Sequence, residues 1–346
     1  MLRYLLLISI LLAGGLPRAA LAQAPLDQVF LSRGALSRGT LSEVGKNEVK
    51  LEVGGTPRTF QVNEIARITF ANEPSELNSA RGYVLQKNFS LALTELRKLN
   101  TSTIEREVMK HDIEFYKALC QARLALTDSG DKNAAITALT SFAVSAPQSF
   151  HFYETAEVLG ELAYSLGKYN DAAKYYTSLA TAPWPDYQLR ANAATGRALA
   201  ADKHYAPALA KFEAVLRSPA TAGDAPRQKL LATVGKAVCL AETGKAEPAL
   251  ALVQELIDKH EPSDAALFAQ AYSALGRCYR KLNKPKEALL AYLHVDLLYS
   301  SDAEAHAEAL YNLSKLWTEI NKGDRAAEAK STLDQRYPTS PWTKLP

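Results

Sequence analysis

Small residues recur in this chain as pairs twelve positions apart, and the pairs return roughly every forty residues: Ala80 with Ala92, Gly160 with Ala172, Gly196 with Ala208, Ala237 with Ala249, Gly276 with Ala288, and Ser314 with Ala326. Between and around them the apolar residues fall at three- and four-residue spacing, interrupted by Gly, Pro, Asn and Asp. That spacing predicts helix-turn-helix units whose two helices cross closely at the small positions. Such a unit cannot bury its apolar face alone, so its neighbours must stack on it. The fold class expected is mainly α, a right-handed α-α superhelix of about seven hairpins preceded by a small antiparallel β module.

The first residues read as an address. Met1 to Ala22 carries Arg3, an apolar stretch from Leu5 to Leu16 and the small-x-small ending Ala20-Leu21-Ala22 before Gln23. This is the pattern of a cleaved export signal, and the stretch is shorter than the roughly 20 apolar residues a spanning helix needs. The other reading of the segment is an uncleaved anchor. Cleavage would remove Arg3 and Arg18 and no acid, so the 40 basic side chains become 38 against 37 acidic ones. A surface so close to neutral gives no long-range attraction to nucleic acid or anionic lipid. Export points to the periplasm of a bacterial envelope, with secretion as the other destination. The three cysteines, Cys120, Cys239 and Cys278, are an odd number on apolar helical stretches and are expected as free core thiols.

Residues 23–72 read differently from the rest. Alternation in Asn47-Glu-Val-Lys-Leu-Glu-Val53 and Glu64-Ile-Ala-Arg-Ile-Thr-Phe70, with turn signals at Gly45-Lys46-Asn47 and Gly54-Gly55, predicts four or five short antiparallel strands. The order of these strands resembles a small SH3-like or Sm-like barrel. So small a core is expected to lean on the first helical hairpin or on a second copy. Phe30, Phe60 and Phe70 fall on alternating apolar positions and are expected in the core rather than stacked on bases. Glu73-Pro74-Ser75-Glu76 should end the strands and open the helical region, 73–346, with Ser75 or the acids capping the first turn.

Two units carry a fuller pattern: Tyr272-Ser-Ala-Leu-Gly-Arg-Cys-Tyr279 followed by Ala288-Leu-Leu-Ala-Tyr292, and Leu159-Gly-Glu-Leu-Ala-Tyr164 followed by Ala172-Ala-Lys-Tyr-Tyr176. These resemble the tetratricopeptide repeat, in which an aromatic, a Leu-Gly pair and a Tyr mark the first helix, and an Ala with an aromatic four places on marks the second. Gly196 to Val215, with Phe212, matches well; the other units match in part. The second-helix alanines, Ala92, Ala135, Ala172, Ala208, Ala249, Ala288 and Ala326, stand 43, 37, 36, 41, 39 and 38 residues apart. That exceeds the family's 34, so the turns must hold insertions; a HEAT-type stack also has a period near forty, but lacks the Leu-Gly and Ala marks. The closing Gln335-Arg-Tyr-Pro-Thr-Ser-Pro-Trp342 resembles the end of the last repeat in bacterial envelope tetratricopeptide proteins. Its Tyr and Trp are expected to pack over the open end of the stack.

Nothing in the sequence assembles a catalytic constellation. The six histidines are scattered, no Gly-x-Ser-x-Gly elbow or phosphate-cradling loop occurs, and Ser165-Leu-Gly-Lys168 and Glu242-Thr-Gly-Lys245 sit where Gly-Lys ends a helix. No catalytic residue, cofactor or metal ligand is assigned. The resemblance implies that first-helix residues line a concave groove. Counting the small residue as the eighth place of its helix, the groove positions are Arg190 and Arg197; Leu231, Val234 and Val238, with Ala241 and Glu242; and Gln270, Ser273, Arg277, Arg280 and Lys281. Together they predict a basic and apolar floor suited to a peptide that carries carboxylates. Glu154, Glu157, Glu161 and Tyr164 predict an acidic end suited to basic groups. The competing expectation is that these charges pair with neighbouring helices. The carboxylate clamp of the family is not implied, because Arg190, Ala193, Ala194 and Ser273 stand where it uses Lys and Asn. The function expected is an exported scaffold holding a protein or peptide partner; a glycan-associated factor working through the β module, and an unrecognised enzyme, are the alternatives.

Overall fold

The computed structural model describes residues 25–127 and 129–346; the expected export segment lies outside them. Strands β1 (Asp27–Leu31), β2 (Leu36–Val44), β3 (Glu48–Val53), β4 (Thr56–Gln61) and β5 (Ile65–Thr69) form one antiparallel sheet in the order β4-β3-β2-β1-β5. The chain meanders from β1 to β4 and returns to lay β5 beside β1. Alternation fixes which side is buried: Val29, Val49, Leu51, Phe60 and Ile68 are sequestered while their neighbours are not. Strand β2 passes β3 so closely at Gly39 that a Cβ there would lie 2.1 Å from the Glu52 carbonyl oxygen, which only glycine permits.

Asp27 anchors the sheet to the helical region. Its carboxylate accepts from the Leu41 and Ala71 amides, each at 2.8 Å, and from the Arg106 guanidinium at 2.6 and 3.1 Å. Further along, Tyr153 donates to Asn47 at 2.8 Å and Trp184 to Gln61 at 3.2 Å. The sheet therefore leans on the hairpins from the first to the fourth. Pro74, not Ser75, precedes the first helix, and no side chain caps it. Glu73 instead accepts from the Phe70 amide and pairs with Arg81, so the acid that looked like a cap ties the junction together.

Seven antiparallel hairpins follow: α1 (Ser75–Leu85) with α2 (Phe89–Arg97), α3 (Glu107–Leu126) with α4 (Lys132–Ser145), α5 (Phe152–Ser165) with α6 (Tyr169–Leu179), α7 (Pro185–Ala201) with α8 (Tyr205–Arg217), α9 (Ala225–Glu242) with α10 (Ala246–Lys259), α11 (Ala265–Lys281) with α12 (Pro285–Leu298), and α13 (Ala303–Glu319) with α14 (Gly323–Arg336). The small residues of the sequence pattern are buried in their seams. What the glycines receive is a ring: a Cβ at Gly160, Gly196 or Gly276 would meet Tyr176, Phe212 or Tyr292 of the same hairpin at 2.3, 2.8 and 2.6 Å. Phe212 is seated from its other side as well, on Gly235 of α9. The third, fourth and sixth hairpins are thus each locked by an aromatic side chain lying on a bare helix backbone, and one such ring also joins two hairpins.

A buried polar knot holds the first three hairpins. Arg81 of α1 donates to Asp112 of α3 at 2.6 and 3.1 Å and to Glu73 at 2.7 Å; His151, just before α5, reaches the other Asp112 oxygen at 2.9 Å and stacks on Phe115. Burial opposes the Asp112 charge, but Arg81 and His151 outweigh it and hold the carboxyl below its usual range.

The chain's end bends back. Residues 341–344 form a short 3-10 turn, Lys132 donates to Thr339 at 2.7 Å, and a Cβ at Gly167 would lie 3.1 Å from the Pro341 ring. The tail of the last hairpin therefore touches the turns of the second and third, and the superhelix is bridged by its own C-terminus. Tyr337 meets His306 of α13, while Trp342 turns toward the concave side, where it donates to Glu304 at 3.3 Å. Only in part does this pair cover the open end of the stack.

Candidate functional site

The concave face holds a cavity of about 700 Å³ lined by α5, α7, α9, α11, α13 and the C-terminal tail. Of the residues predicted from the repeat register, Glu157, Glu161 and Tyr164 line it from α5, and Arg190 and Arg197 from α7. Leu231, Val234 and Val238 contribute from α9, and Gln270, Ser273 and Arg277 from α11. Glu154, Arg280 and Lys281 lie outside the lining and are exposed.

The predicted basic floor is largely neutralised by neighbours, in line with the expectation that these charges pair between helices and against that of a free basic floor. Arg190 pairs with Glu157 at 2.9 Å, Arg277 with Glu308 at 2.5 Å, and Lys281 with Glu242 at 2.7 Å; Arg280 donates to Asn312 at 2.8 Å. The acidic end is neutralised in the same way, Glu161 by Arg123 and Glu157 by Arg190. Successive first helices are thus laced by ion pairs one repeat apart. Burial nevertheless dominates at Glu157 and pushes its carboxyl up to about 7 against the pull of Arg190. Glu304 is likewise raised by burial to about 7, with Arg197 pulling the other way.

Arg197 departs from this lacing. The guanidinium lies over the Tyr164 ring, 4.5 Å from its centroid, and has no carboxylate within ion-pair distance among the described residues. Among the described residues its Nε, the Tyr176 hydroxyl and the Ser273 hydroxyl are enclosed without a hydrogen bond of ordinary geometry, and Tyr176 lies close enough to Arg197 for the arginine to oppose part of the rise that burial gives its hydroxyl. Burial works against the arginine's charge, yet Tyr176, Tyr164, Asp302 and Glu304 more than restore it, and its pKa is raised.

Several lining residues escaped the sequence reading. Tyr169, Tyr176, Tyr205 and Phe212 come from second helices, and Asp302, Glu304, Glu308, Pro341, Trp342 and Leu345 from the last hairpin and the tail. The repeat marks flag Tyr176 and Phe212 as packing rings, which they are, but a ring wide enough to lock a hairpin also shows its edge to the groove. Nothing local signals that α13 and the tail close the hollow. All three cysteines are free and buried, and none of the six histidines lines the cavity. Among the described residues no cluster of three or more His, Cys, Asp or Glu is placed to hold a metal, and no helix is long and apolar enough to cross a membrane.

Neither a protein-family model nor a curated protein matches the sequence. Solved structures do match. A tetratricopeptide repeat protein from Parabacteroides merdae shares 16% identity, with 75% of this chain and 91% of that one aligned at a TM-score of 0.55. The Rap protein complexed with competence and sporulation factor shares 14% over 78% and 76% of the two chains, with a TM-score of 0.56. This is a tetratricopeptide-type fold. NprR in complex with its cognate peptide NprX also shares that repeat architecture, at 16% identity over 75% and 77% of the chains and a TM-score of 0.51. The five-stranded sheet precedes the tetratricopeptide-type stack here and leans on its first hairpins.

Proposed function

We propose that this protein is an exported, non-catalytic scaffold whose concave groove holds a segment of a protein partner. The observation that carries the reading is the cavity itself: a hollow of about 700 Å³ on the concave face, with Tyr164, Tyr169, Tyr205, Phe212 and Trp342 around an apolar floor of Leu231, Val234 and Val238. Aromatic and aliphatic walls with a few polar groups suit an extended peptide. Two structures of similar fold are described as complexes, one with competence and sporulation factor and one with a cognate peptide, which supports a groove of this kind as a peptide seat. The non-catalytic part rests on the site chemistry. The titratable pairs that meet there, Arg190 with Glu157 and Arg277 with Glu308, neutralise each other, and no histidine or cysteine stands among the lining residues.

Site-specific photocrosslinking tests the seat. A photoreactive residue at Leu231 or Gln270 is expected to capture a partner in the native cell, and one at exposed Leu297 on α12 is not. Equal capture at all three positions would remove the groove as the site. Export is tested by the N-terminal sequence of the mature protein, expected to begin at Gln23, with an intact Met1 as the refuting result.

A further inference from the structure

We propose that residues 339–346 form a strap that shuts the groove from within, so that a partner segment takes the seat only when the strap lets go. The inference rests on the reading of the groove as a peptide seat and names what controls access to it. The strap has a fixed root and a loose tip. Tyr337 and Ser340 are buried, with the Tyr337 hydroxyl 2.7 Å from His306 Nδ1, whereas residues 344–346 are exposed. Within this stretch Pro341, Trp342 and Leu345 belong to the cavity wall.

An aromatic that merely covered the last hairpin would stay on α13 and α14. Trp342 does lie against Tyr311 of α13, with ring centroids 5.5 Å apart, but it also reaches back one hairpin, where the Arg277 guanidinium of α11 is 5.6 Å from the indole centroid. Thr339 accepts from Lys132 at the start of α4, and Pro341 packs on Gly167 after α5, so the segment runs from the seventh hairpin to the second and third. What holds the tip is slight. The Trp342 indole donates to Glu304 at 3.3 Å, Tyr311 donates to the Pro346 carbonyl at 3.3 Å on the surface, and Leu345 is 42% exposed. Segments with few buried contacts open at low free energy. The strap is also a ligand of the class the groove suits, since Trp342 and Leu345 set an aromatic and a branched apolar side chain three residues apart and both line the hollow. Being tethered, it meets the groove at an effective concentration on the order of millimolar. A partner's apparent affinity then falls in proportion to the fraction of chains whose strap is open.

The test uses the full chain, once with the strap loosened by Trp342→Ala and once with it locked. Gly167→Cys with Pro341→Cys provides the lock, because a Cβ at Gly167 lies 3.5 Å from that of Pro341, within the span of a disulfide, and the three native thiols are buried. Gly167→Cys alone is the control for the positive φ of 74° at that position. The probe is a fluorescein-labelled, amidated peptide of residues 339–346, followed by fluorescence polarisation. Trp342→Ala is expected to bind it about tenfold tighter than the parent chain does, with far-UV circular dichroism unchanged. The locked chain is expected to lose binding when oxidised and to recover it on reduction, and a peptide carrying Trp342→Ala is expected not to bind. Equal affinity of the parent chain and Trp342→Ala, binding indifferent to the lock, or no binding to any form overturns the proposal. Should Trp342→Ala fail to fold, the oxidised and reduced forms of the locked chain decide alone. Photocrosslinking at Leu231 that captures a partner equally in the locked and reduced chains would sink the strap and leave the peptide groove standing. Absence of capture in the parent chain counts against the groove reading, and the peptide titration still decides the strap.

Discussion

Replacing Gly160 by alanine puts the locking of the hairpins to the test. The added Cβ would lie 2.3, 2.6 and 2.7 Å from three atoms of the Tyr176 ring, so the ring must retreat by roughly 1 Å to reach ordinary contact. It has nowhere to go: Tyr176 is 1% exposed and sits among Ala163, Ala172 and Ala198. Overpacking of this severity costs about 3 kcal/mol, at the upper end of the usual range. Alanine recovers about 1 kcal/mol through helix propensity, which leaves a net loss of about 2 kcal/mol. Gly82 is the internal control, because it lies in α1 where a Cβ would find no atom within 4 Å, and Gly82→Ala should gain up to about 1 kcal/mol. Urea unfolding followed by circular dichroism measures both. Adding Tyr176→Leu to Gly160→Ala should recover stability relative to the sum of the single changes. If Gly160→Ala proves as stable as Gly82→Ala, the glycines are not seats for rings and hairpin packing has another origin.

Asp112→Asn is expected to destabilise by about 3–5 kcal/mol, since it leaves the fully enclosed Arg81 with Glu73 alone; denaturant midpoints that move less than those of a surface Asp→Asn change would contradict the buried knot. Burial raises Glu304 to about 7 from 4.5, so the folded state binds its proton more tightly than the unfolded state does. This group's contribution is therefore most favourable below about 4.5 and declines as pH rises to about 7. Glu304→Gln should gain stability over the parent across that window, and parallel pH curves for the two proteins would refute the burial. Burial pushes the thiols of Cys120 and Cys239 up to about 12 and that of Cys278 to about 11, so a thiol reagent near neutral pH should label none of them in the native protein and all three in urea.

The repeat was legible because its signal is local and redundant. Ala172, Ala208, Ala249 and Ala288 are fully buried in their seams, and each reports a hairpin from a dozen residues. The strands were legible for the same reason, as Val49 and Leu51 alternate with Lys50 and Glu52. The groove was half legible. Register placed Tyr164, Arg197, Leu231 and Gln270 on its wall, because a helix face follows from counting. Counting gave no information on pairing: Arg277 and Glu308 lie 31 residues apart, and nothing in either segment specifies that the two helices set them face to face.

From the sequence alone come the hairpins, their number, the preceding sheet and the face each first helix turns inward, since each depends on contacts within a repeat or between adjacent repeats. Tertiary structure decided which groove charges are spent on neighbours, that Arg197 is not, and that Trp342 and Pro341 return to bridge the superhelix. These features depend on the accumulated rotation from hairpin to hairpin, a sum of small angles that no single repeat encodes and that only the assembled stack reveals.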